Sequence, residues 1–374
     1  MRLSELPTPQ VLVDPRRVRA NIAQMQAAAS VHGLNVRPHA KTHKSPVIAR
    51  KQVDAGAVGV CCAKVGEAEV FVDAGITNVR LPYPVHPSNA SRVLALMERA
   101  ELSLIIDHPD NAEGWSDAMT RAGRRMPVLV KVDVGFHRCG VDPDSAETLP
   151  FIRHVAALPG LEFLGLLSHA GQSYHAESED DLRAMAAAEA DTLKALADAL
   201  ERDGIPVRER SVGSTPTARY SLMQPGLTEI RAGNYVYYDR TQVGLGAASR
   251  EDCALTVLAT VVTKPRPDRL ILDCGSKTLT NDQARGFSAL HGYGEVLKEL
   301  DHNDGDETLL VERLSEEHAT VRALNGSTSL KPGDRVRVLP NHACVVSNLV
   351  DRIYLAHGDT VVDSLPVAAR GRIQ

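Results

Sequence analysis

The chain has 374 residues, 43% of them hydrophobic, so it is long enough to bury the core of one large domain and a smaller one. Its formal charge of −5 excludes the strongly basic surface that nucleic acids and anionic membranes attract. The N-terminus lacks a signal-peptide pattern, and no apolar run reaches the roughly 18 residues of a membrane span. We therefore expect a cytoplasmic protein that acts on a small molecule.

The first two thirds of the chain alternate between β-rich runs and Ala-rich helical segments. Continuous apolar runs such as LSLII and PVLVKV are typical of parallel strands covered on both faces. Eight strand–helix repeats predict a (β/α)₈ TIM-type barrel over residues 8–245. The predicted strands are Asn35–Ala40, Gly59–Ala63, Asn78–Tyr83, Glu101–Asp107, Pro127–Asp133, Leu161–His169, Arg208–Gly213 and Glu229–Val236.

The pattern changes after about residue 246. The runs RLILDCG, RVRVLP and RIYLAHGDTVV are short, β-branched and separated by Pro, Gly and Asp turns. They predict a mostly antiparallel β domain made of residues 246–374 together with residues 1–7. No linker rich in Gly or Ser marks the junction, so we expect the two domains to pack tightly.

Basic side chains follow three of the predicted barrel strands, at the face where barrel enzymes place their active sites. Lys41 lies in the block RPHAKTHK after the first strand, where a desolvated amine would form a Schiff base with a carbonyl cofactor. Arg138 follows the fifth strand, and His169 and His175 follow the sixth. Taken singly, each also fits a solvated loop or a packed residue, and only their common position favours a site.

Two loops have the composition of a phosphate site. The segment after the seventh strand contains Gly213, Ser214 and Thr215 before a proline, which indicates backbone N–H groups and hydroxyls beside the first turn of a helix. The segment near the end of the predicted eighth strand contains Gly233, Asn234 and Tyr235. Barrels commonly bind phosphate with these two loops, so the sequence predicts a phosphorylated ligand.

The β domain contains one candidate metal motif, PNHAC. Alternation in an extended segment would direct His342 and Cys344 to one face, where an imidazole and a thiolate bind zinc or a similar metal. A buried His and Cys without a metal is the alternative. The six cysteines are scattered along the chain, which argues against a disulfide framework.

Five blocks of the sequence, in order, resemble the D-threonine aldolase and D-serine dehydratase family of alanine-racemase-like, fold-type III pyridoxal-phosphate enzymes. They are RPHAKTHK, the Arg138 loop, SVGSTPT, RAGNYVYYD and PNHAC. The resemblance implies a lyase that acts on D-3-hydroxy amino acids with pyridoxal 5′-phosphate and a divalent metal, which is Mn, Zn, Mg or Co. It also implies a homodimer in which each β domain completes the other subunit's site.

The resemblance assigns roles to the candidate residues. Lys41 would bind the cofactor covalently, with Lys44 as its rival, and His342 and Cys344 would bind the metal. Arg138 would approach the phenolic oxygen, Arg231 would face the pyridine nitrogen and His169 would lie beside the ring. The phosphate would be surrounded by Gly213, Ser214, Thr215, Gly233, Asn234 and Tyr235.

The sequence favours aldol cleavage over dehydration by a narrow margin. The segments around Cys61 and Arg138 and the C-terminus resemble the D-threonine aldolases, whereas His342-Ala343-Cys344 and SVGSTPT resemble the dehydratases. Retro-aldol cleavage would give glycine and an aldehyde, with His175 as the base for the hydroxyl. Dehydration would give a 2-oxo acid and ammonia. An amino-acid racemase and a non-catalytic carrier of the cofactor are more remote alternatives.

Overall fold

The computed structural model describes residues 1–298 and 308–374. Strand β1 (Gln10–Val13) and helix α1 (Pro15–Val31) come before the barrel. Asp14 caps the N-terminus of helix α1, since its carboxylate accepts hydrogen bonds from the N–H groups of Arg16 and Arg17. A proline occupies the first turn of the helix. Its buried face includes Val18, Ile22 and Met25, which belong to the main hydrophobic core.

Eight parallel strands form the barrel, as predicted. They pair in the order β2-β9-β8-β7-β6-β5-β4-β3, and a bridge between His39 and Cys61 joins the two outer strands. The strands are β2 (Asn35–Val36), β3 (Val60–Cys61), β4 (Asn78–Pro84), β5 (Glu101–Ile106), β6 (Met126–Lys131), β7 (Leu161–Leu167), β8 (Glu209–Val212) and β9 (Glu229–Ile230).

Helices alternate with these strands and cover the outside of the barrel. The sequence indicates four helices most clearly, and all four are present to within two residues at each end. Their predicted ranges are Ser45–Ala55, Val65–Ala74, Asn89–Arg99 and Asp180–Arg202. The helices are α2 (Pro46–Asp54), α3 (Val65–Asp73), α4 (Ala90–Met97), α5 (Pro109–Arg121), α6 (Thr148–Ala157), α7 (Glu179–Arg202), α8 (Ala218–Ser221) and α9 (Arg240–Gly244).

The second sheet is antiparallel apart from one pair of strands. Its order is β11-β14-β13-β12-β15-β10-β1-β16-β17, and β10 also pairs with β11, which closes six of the strands into a ring. The new elements are β10 (Leu255–Arg266), β11 (Arg269–Leu272), α10 (Ser276–Leu279), β12 (Gly294–Leu297), β13 (Leu309–Leu314), β14 (Ala319–Ala323), β15 (Arg335–Pro340), α11 (Ala343–Asn348), β16 (Arg352–His357) and β17 (Thr360–Pro366).

Strand β1 lies inside the range 8–245 predicted for the barrel, yet it pairs with β10 and β16 of the second sheet. The division of the chain near residue 245 stays a prediction. Across the described residues, no helix is both long enough and apolar enough to cross a membrane.

Candidate active site

A cavity of about 650 Å³ opens at the C-terminal ends of the barrel strands and is closed on one side by the β domain. This volume lies in the usual range for a small-molecule site. The lining residues come from both domains. They are His39, Lys41, Thr42, Pro82, Phe136, Arg138, His169, Gly171, Tyr174, His175, Gly213, Ser214, Thr215, Arg231, Gly233, Asn234, Asp239, Thr241, Gln242, Asp282, Gln283, Ala284, Arg285, His342 and Cys344.

Lys41 extends into this cavity from a 3₁₀ turn (Ala40–Thr42) that follows β2. The surrounding protein lowers the pKa of its amine, chiefly by desolvation, and nearby Arg138 lowers it further, against the opposing effect of Cys344. Lys44 is buried instead, and its Nζ lies 3.2 Å from a carboxylate oxygen of Glu67. The structure therefore places a free amine at position 41 and an ion-paired one at position 44.

Two imidazoles on the cavity wall are held neutral by burial. Desolvation and the neighbouring cations lower the pKa of His169 and of His39 well below the usual value. The Nδ1 of His169 contacts the carbonyl oxygen of Gly213. Because a carbonyl only accepts, Nδ1 carries the proton, and Nε2 has a free lone pair.

Arg138 and Arg231 lie in different environments. The guanidinium of Arg138 is exposed and stacks 5.0 Å from the ring centroid of Phe136, which in turn packs edge-on against His169. Arg231 is buried at 5% exposure, donates to Ser211 Oγ at 2.7 Å, and contacts the carbonyl oxygen of Ser168. Arg138 therefore presents its guanidinium to the cavity, whereas hydrogen bonds within the barrel hold that of Arg231.

The two predicted phosphate loops lie side by side. The Asn234 N–H donates to Thr215 Oγ1 at 3.2 Å, and Ser214 Oγ lies 2.7 Å from Ser173 Oγ. In the described part of the chain, the N–H groups of Ser214, Thr215 and Gly233 have no protein acceptor. They form a set of free donors that suits an anion.

Two details of these loops differ from the prediction. The helix after the first loop is the single turn α8, and Pro216 lies before it rather than inside its first turn. Tyr235 is fully buried, and its hydroxyl accepts a hydrogen bond from Gln52 at 3.0 Å. Its side chain therefore packs in the protein interior while its neighbours Gly233 and Asn234 line the cavity.

His342 and Cys344 both line the cavity, but by a different local structure from the predicted extended segment. Strand β15 ends at Pro340, and Cys344 lies in the first turn of α11, where Asp239 accepts the N–H of Ala343 at 2.9 Å. Burial lowers the pKa of His342, but Cys344 and the carboxylates of Asp239 and Asp282 raise it to about 10. This corner of the cavity therefore favours a cation.

The thiol of Cys344 approaches the turn that carries Lys41. Its Sγ lies 3.2 Å from Thr42 Oγ1, and Nδ1 of His342 lies 2.6 Å from Asp282 Oδ2. Among residues 1–298 and 308–374, no group of three or more His, Cys, Asp or Glu side chains is arranged as a metal site. The protein thus offers two donors at most, which leaves positions for water and substrate.

Three residues that line the cavity had no signal in the sequence, and the first is Arg285 of the β domain. It contacts His175, which lies on the cavity wall as expected, with Nη1 at 2.5 Å from both ring nitrogens. Asp239 and Asp282 were not candidates either. The hydrophobic pattern of the β domain gave no indication that the segment around Asp282 reaches the barrel mouth.

Comparison with known proteins identifies both halves of the chain. Residues 13–241 match the family described as alanine racemase, N-terminal domain, and residues 254–356 match a serine dehydratase domain. An alanine racemase from Clostridium difficile, with 14% identity over 97% of this chain and 99% of its own, shares the fold at a TM-score of 0.68. The fold and the lysine at the barrel mouth define a pyridoxal-phosphate enzyme of the alanine-racemase-like class. Within it, the chain belongs to the D-threonine aldolase and D-serine dehydratase family.

Relatives with different reactions are about equally similar to this chain. A D-threonine aldolase from Arthrobacter sp. is 33% identical over 99% of this chain and 94% of the relative. A D-threo-3-hydroxyaspartate dehydratase from Delftia sp. is 34% identical over 91% and 92%. The solved structure of the Delftia enzyme covers 98% of both chains at a TM-score of 0.90 and 31% identity. The chain is accordingly a pyridoxal-phosphate-dependent lyase.

Proposed function

We propose that this protein is a pyridoxal-phosphate- and metal-dependent lyase that removes the 3-hydroxyl group of a D-3-hydroxy amino acid and releases a 2-oxo acid and ammonia. The observation that carries the proposal is that His342 and Cys344, the motif that resembles the dehydratases, line the same cavity as the free amine of Lys41. Lys41 would handle the proton at Cα of the substrate. His342 and Cys344 would hold the metal that binds the 3-hydroxyl.

The cavity fits pyridoxal phosphate at two points. Lys41 supplies the amine, and the free N–H groups of the two glycine loops suit the phosphate. A Cβ on Gly213 would lie only 3.0 Å from the Cβ of Arg231. The backbone at Gly213 therefore packs against Arg231 more closely than a residue with a side chain could without a shift. The cofactor, when bound, supplies an electron sink for a bond broken at Cα.

The amine of Lys41 is suited to take a proton at neutral pH. Desolvation lowers its pKa, so a larger fraction is the neutral base than for a lysine in water. Displaced from the cofactor by the substrate amine, Lys41 would accept the Cα proton. Arg138 and the neutral His169 would lie beside the ring and hold its orientation.

The metal corner of the site fits a borderline divalent cation. Imidazole and thiolate are donor types that zinc prefers, and Asp282 contacts Nδ1 of His342 and would orient the ring. A metal held by these two residues would supply Lewis acidity toward the 3-hydroxyl of the substrate. Among solved structures of D-threo-3-hydroxyaspartate dehydratase, one variant has Ala in place of a His, and another, which is in a metal-free form, has Ala in place of a Cys two positions later. The spacing is that of His342 and Cys344.

Aldol cleavage is the second candidate, and the position of His175 supports it. This imidazole lines the cavity and would accept the proton of the 3-hydroxyl as the Cα–Cβ bond breaks. The same imidazole is in contact with the guanidinium of Arg285.

The reaction is tested by the products formed from D-threonine and from D-threo-3-hydroxyaspartate with added metal. Dehydration gives 2-oxobutanoate or oxaloacetate and one ammonia per turnover. Aldol cleavage gives glycine with acetaldehyde or glyoxylate and no ammonia, and this result would replace the dehydratase assignment by the aldolase. L-threonine serves as the control for configuration. Activity that survives exhaustive chelation would remove the metal from the proposal.

A further inference from the structure

Arg285 is an arginine of the β domain that lines the catalytic cavity without an acidic partner. Among the described residues, neither Arg285 nor Arg138 has a carboxylate within 4.0 Å, whereas Arg37 and Arg80 in the barrel interior are both ion-paired. The nearest polar group to Arg285 is the imidazole of His175. A guanidinium on a cavity wall with no counter-charge is suited to bind an anionic part of a ligand.

The loop that carries Arg285 is fixed against the barrel. The Arg285 N–H donates to Thr241 Oγ1 at 3.3 Å, and the Phe287 N–H donates to the carbonyl oxygen of Gly244 at 3.0 Å. Asn341 donates to the carbonyl oxygen of Asp282 at 2.9 Å. The position of Arg285 over the cavity therefore follows from backbone contacts.

The same loop contacts the metal corner of the site. Asp282, three residues before Arg285, accepts a hydrogen bond from His342 with a separation of 2.6 Å. If the protein has the proposed function, His342 and Cys344 face the 3-hydroxyl of the substrate. The group that C3 carries besides this hydroxyl then lies next to the loop from Asp282 to Arg285.

We propose that Arg285 binds a carboxylate on C3 of the substrate, so that the preferred substrates are dicarboxylic 3-hydroxy amino acids of the D-3-hydroxyaspartate type. The proposal rests on the proposed function. The guanidinium of Arg285 would form a bidentate salt bridge with this carboxylate. D-Threonine and D-serine have no carboxylate on C3. The relatives that act on 3-hydroxyaspartate, a dehydratase from Delftia sp. and an aldolase from Paracoccus denitrificans, belong to both reaction types, so the substrate class is independent of the bond that breaks.

The test compares kcat/KM for D-threo-3-hydroxyaspartate and D-threonine in the wild type and in Arg285→Gln, Arg285→Lys and Arg208→Gln. Arg208 is exposed at the other end of the barrel, where it pairs with Glu162, and serves as the matched control. We expect the wild type to prefer the dicarboxylate at least tenfold. Arg285→Gln should reduce that preference about ten- to a hundredfold, because one charge-assisted contact is lost. Arg285→Lys should retain part of the preference, and Arg208→Gln all of it.

Binding of unreactive analogues separates this proposal from the reaction itself. Malate and 3-hydroxybutanoate are the deaminated counterparts of 3-hydroxyaspartate and threonine, and calorimetric titration of the cofactor-loaded protein gives their affinities without turnover. If malate binds more tightly than 3-hydroxybutanoate and this difference is lost in Arg285→Gln, the subsite is supported. The absence of turnover with every substrate would overturn the proposed function but not the subsite. Equal losses for both substrates or both analogues would overturn the subsite, because Arg285 would then serve a group that all of them share.

Discussion

Lys41 and Lys44 show how strongly the surroundings of a side chain decide its chemistry. They are three residues apart and share one basic block, yet Lys44 is buried against Glu67 at a backbone φ of 48°, whereas Lys41 faces the cavity. A buried lysine amine that is held in an ion pair with a carboxylate is not free to attack a carbonyl carbon. The two environments therefore favour Lys41 over Lys44 as the proposed cofactor lysine, which composition alone does not distinguish.

Substitution of the two lysines tests this selection. We expect Lys41→Ala to lose the visible absorbance of the lysine-bound cofactor, because no second amine faces the cavity from the described residues. Lys44→Met should keep the band, although it leaves Glu67 without its partner and lowers the free energy of unfolding. Absorbance is measured after reconstitution and divided by the folded fraction from circular dichroism. A band that persists in Lys41→Ala and disappears in Lys44→Met would reverse the assignment.

At the scale of elements, the site is made by loops that the barrel strands bring together. The turn carrying Lys41 and the loop at Gly233 are in close contact, and a Cβ on Gly233 would lie 3.0 Å from both the carbonyl oxygen of His39 and the hydroxyl of Thr42. Contacts below 3.4 Å force the neighbours to shift. The absence of a side chain at Gly233 therefore lets the loop at residues 233–235 lie close to the turn that carries Lys41.

Replacement of Gly233 by Ala should weaken cofactor binding without preventing folding. The added methyl group would displace the turn at residues 39–42 relative to the phosphate loop, and we expect the dissociation constant for pyridoxal phosphate to rise about tenfold or more. Equilibrium dialysis followed by absorbance measures this constant. Gly123→Ala is the control, since that glycine has φ +65 and open space around it. It should cost about 1 kcal/mol of stability and leave the affinity unchanged. Equal affinities for all three proteins would contradict the role of Gly233.

Most of the barrel could be predicted because its signals are local. Eight short runs, several of them continuously apolar, and their order along the chain predict the strands, and the strand ends then locate Lys41, Arg138 and His169. Arg285 and Asp239 could not be predicted in the same way. Their roles depend on contacts between segments over 40 residues apart, such as that of Asp239 with Ala343, and no periodicity records such contacts.

At the scale of the whole molecule, an ion-pair network lies inside the barrel below the cavity. Glu229 at the start of β9 accepts from Arg37 at 2.8 Å and from Arg80 at 2.6 Å, and Arg80 also donates to Glu209 at 2.7 Å. The network joins β2, β4, β8 and β9 and includes Arg80 at 1% exposure. The apolar runs of the strands gave no sign of it, because each charged residue occupies a single position within or next to a short strand.

This network makes the stability of the barrel depend on pH. Burial raises the pKa of Glu229, but the guanidinium groups of Arg80 and Arg37 outweigh it and lower the pKa to about 2. Because the folded pKa is below the unfolded value of roughly 4.3, the carboxylate stabilises the fold above that value. The stabilisation, roughly 3 kcal/mol from the size of the shift, is lost as the pH falls from about 4.3 toward 2.

Glu229→Gln should therefore destabilise the protein at pH 7 by about 3–5 kcal/mol, since it leaves two buried arginines without their shared counter-charge. The difference from the wild type should shrink at pH 3, where the wild type begins to lose the same interaction. Urea unfolding followed by circular dichroism at both pH values measures the two differences. Glu162→Gln removes an exposed ion pair with Arg208 and should change stability by less than about 1 kcal/mol at either pH. A Glu229→Gln penalty that is the same at pH 7 and pH 3 would show that the loss comes from packing and hydrogen bonds rather than from the charge of Glu229.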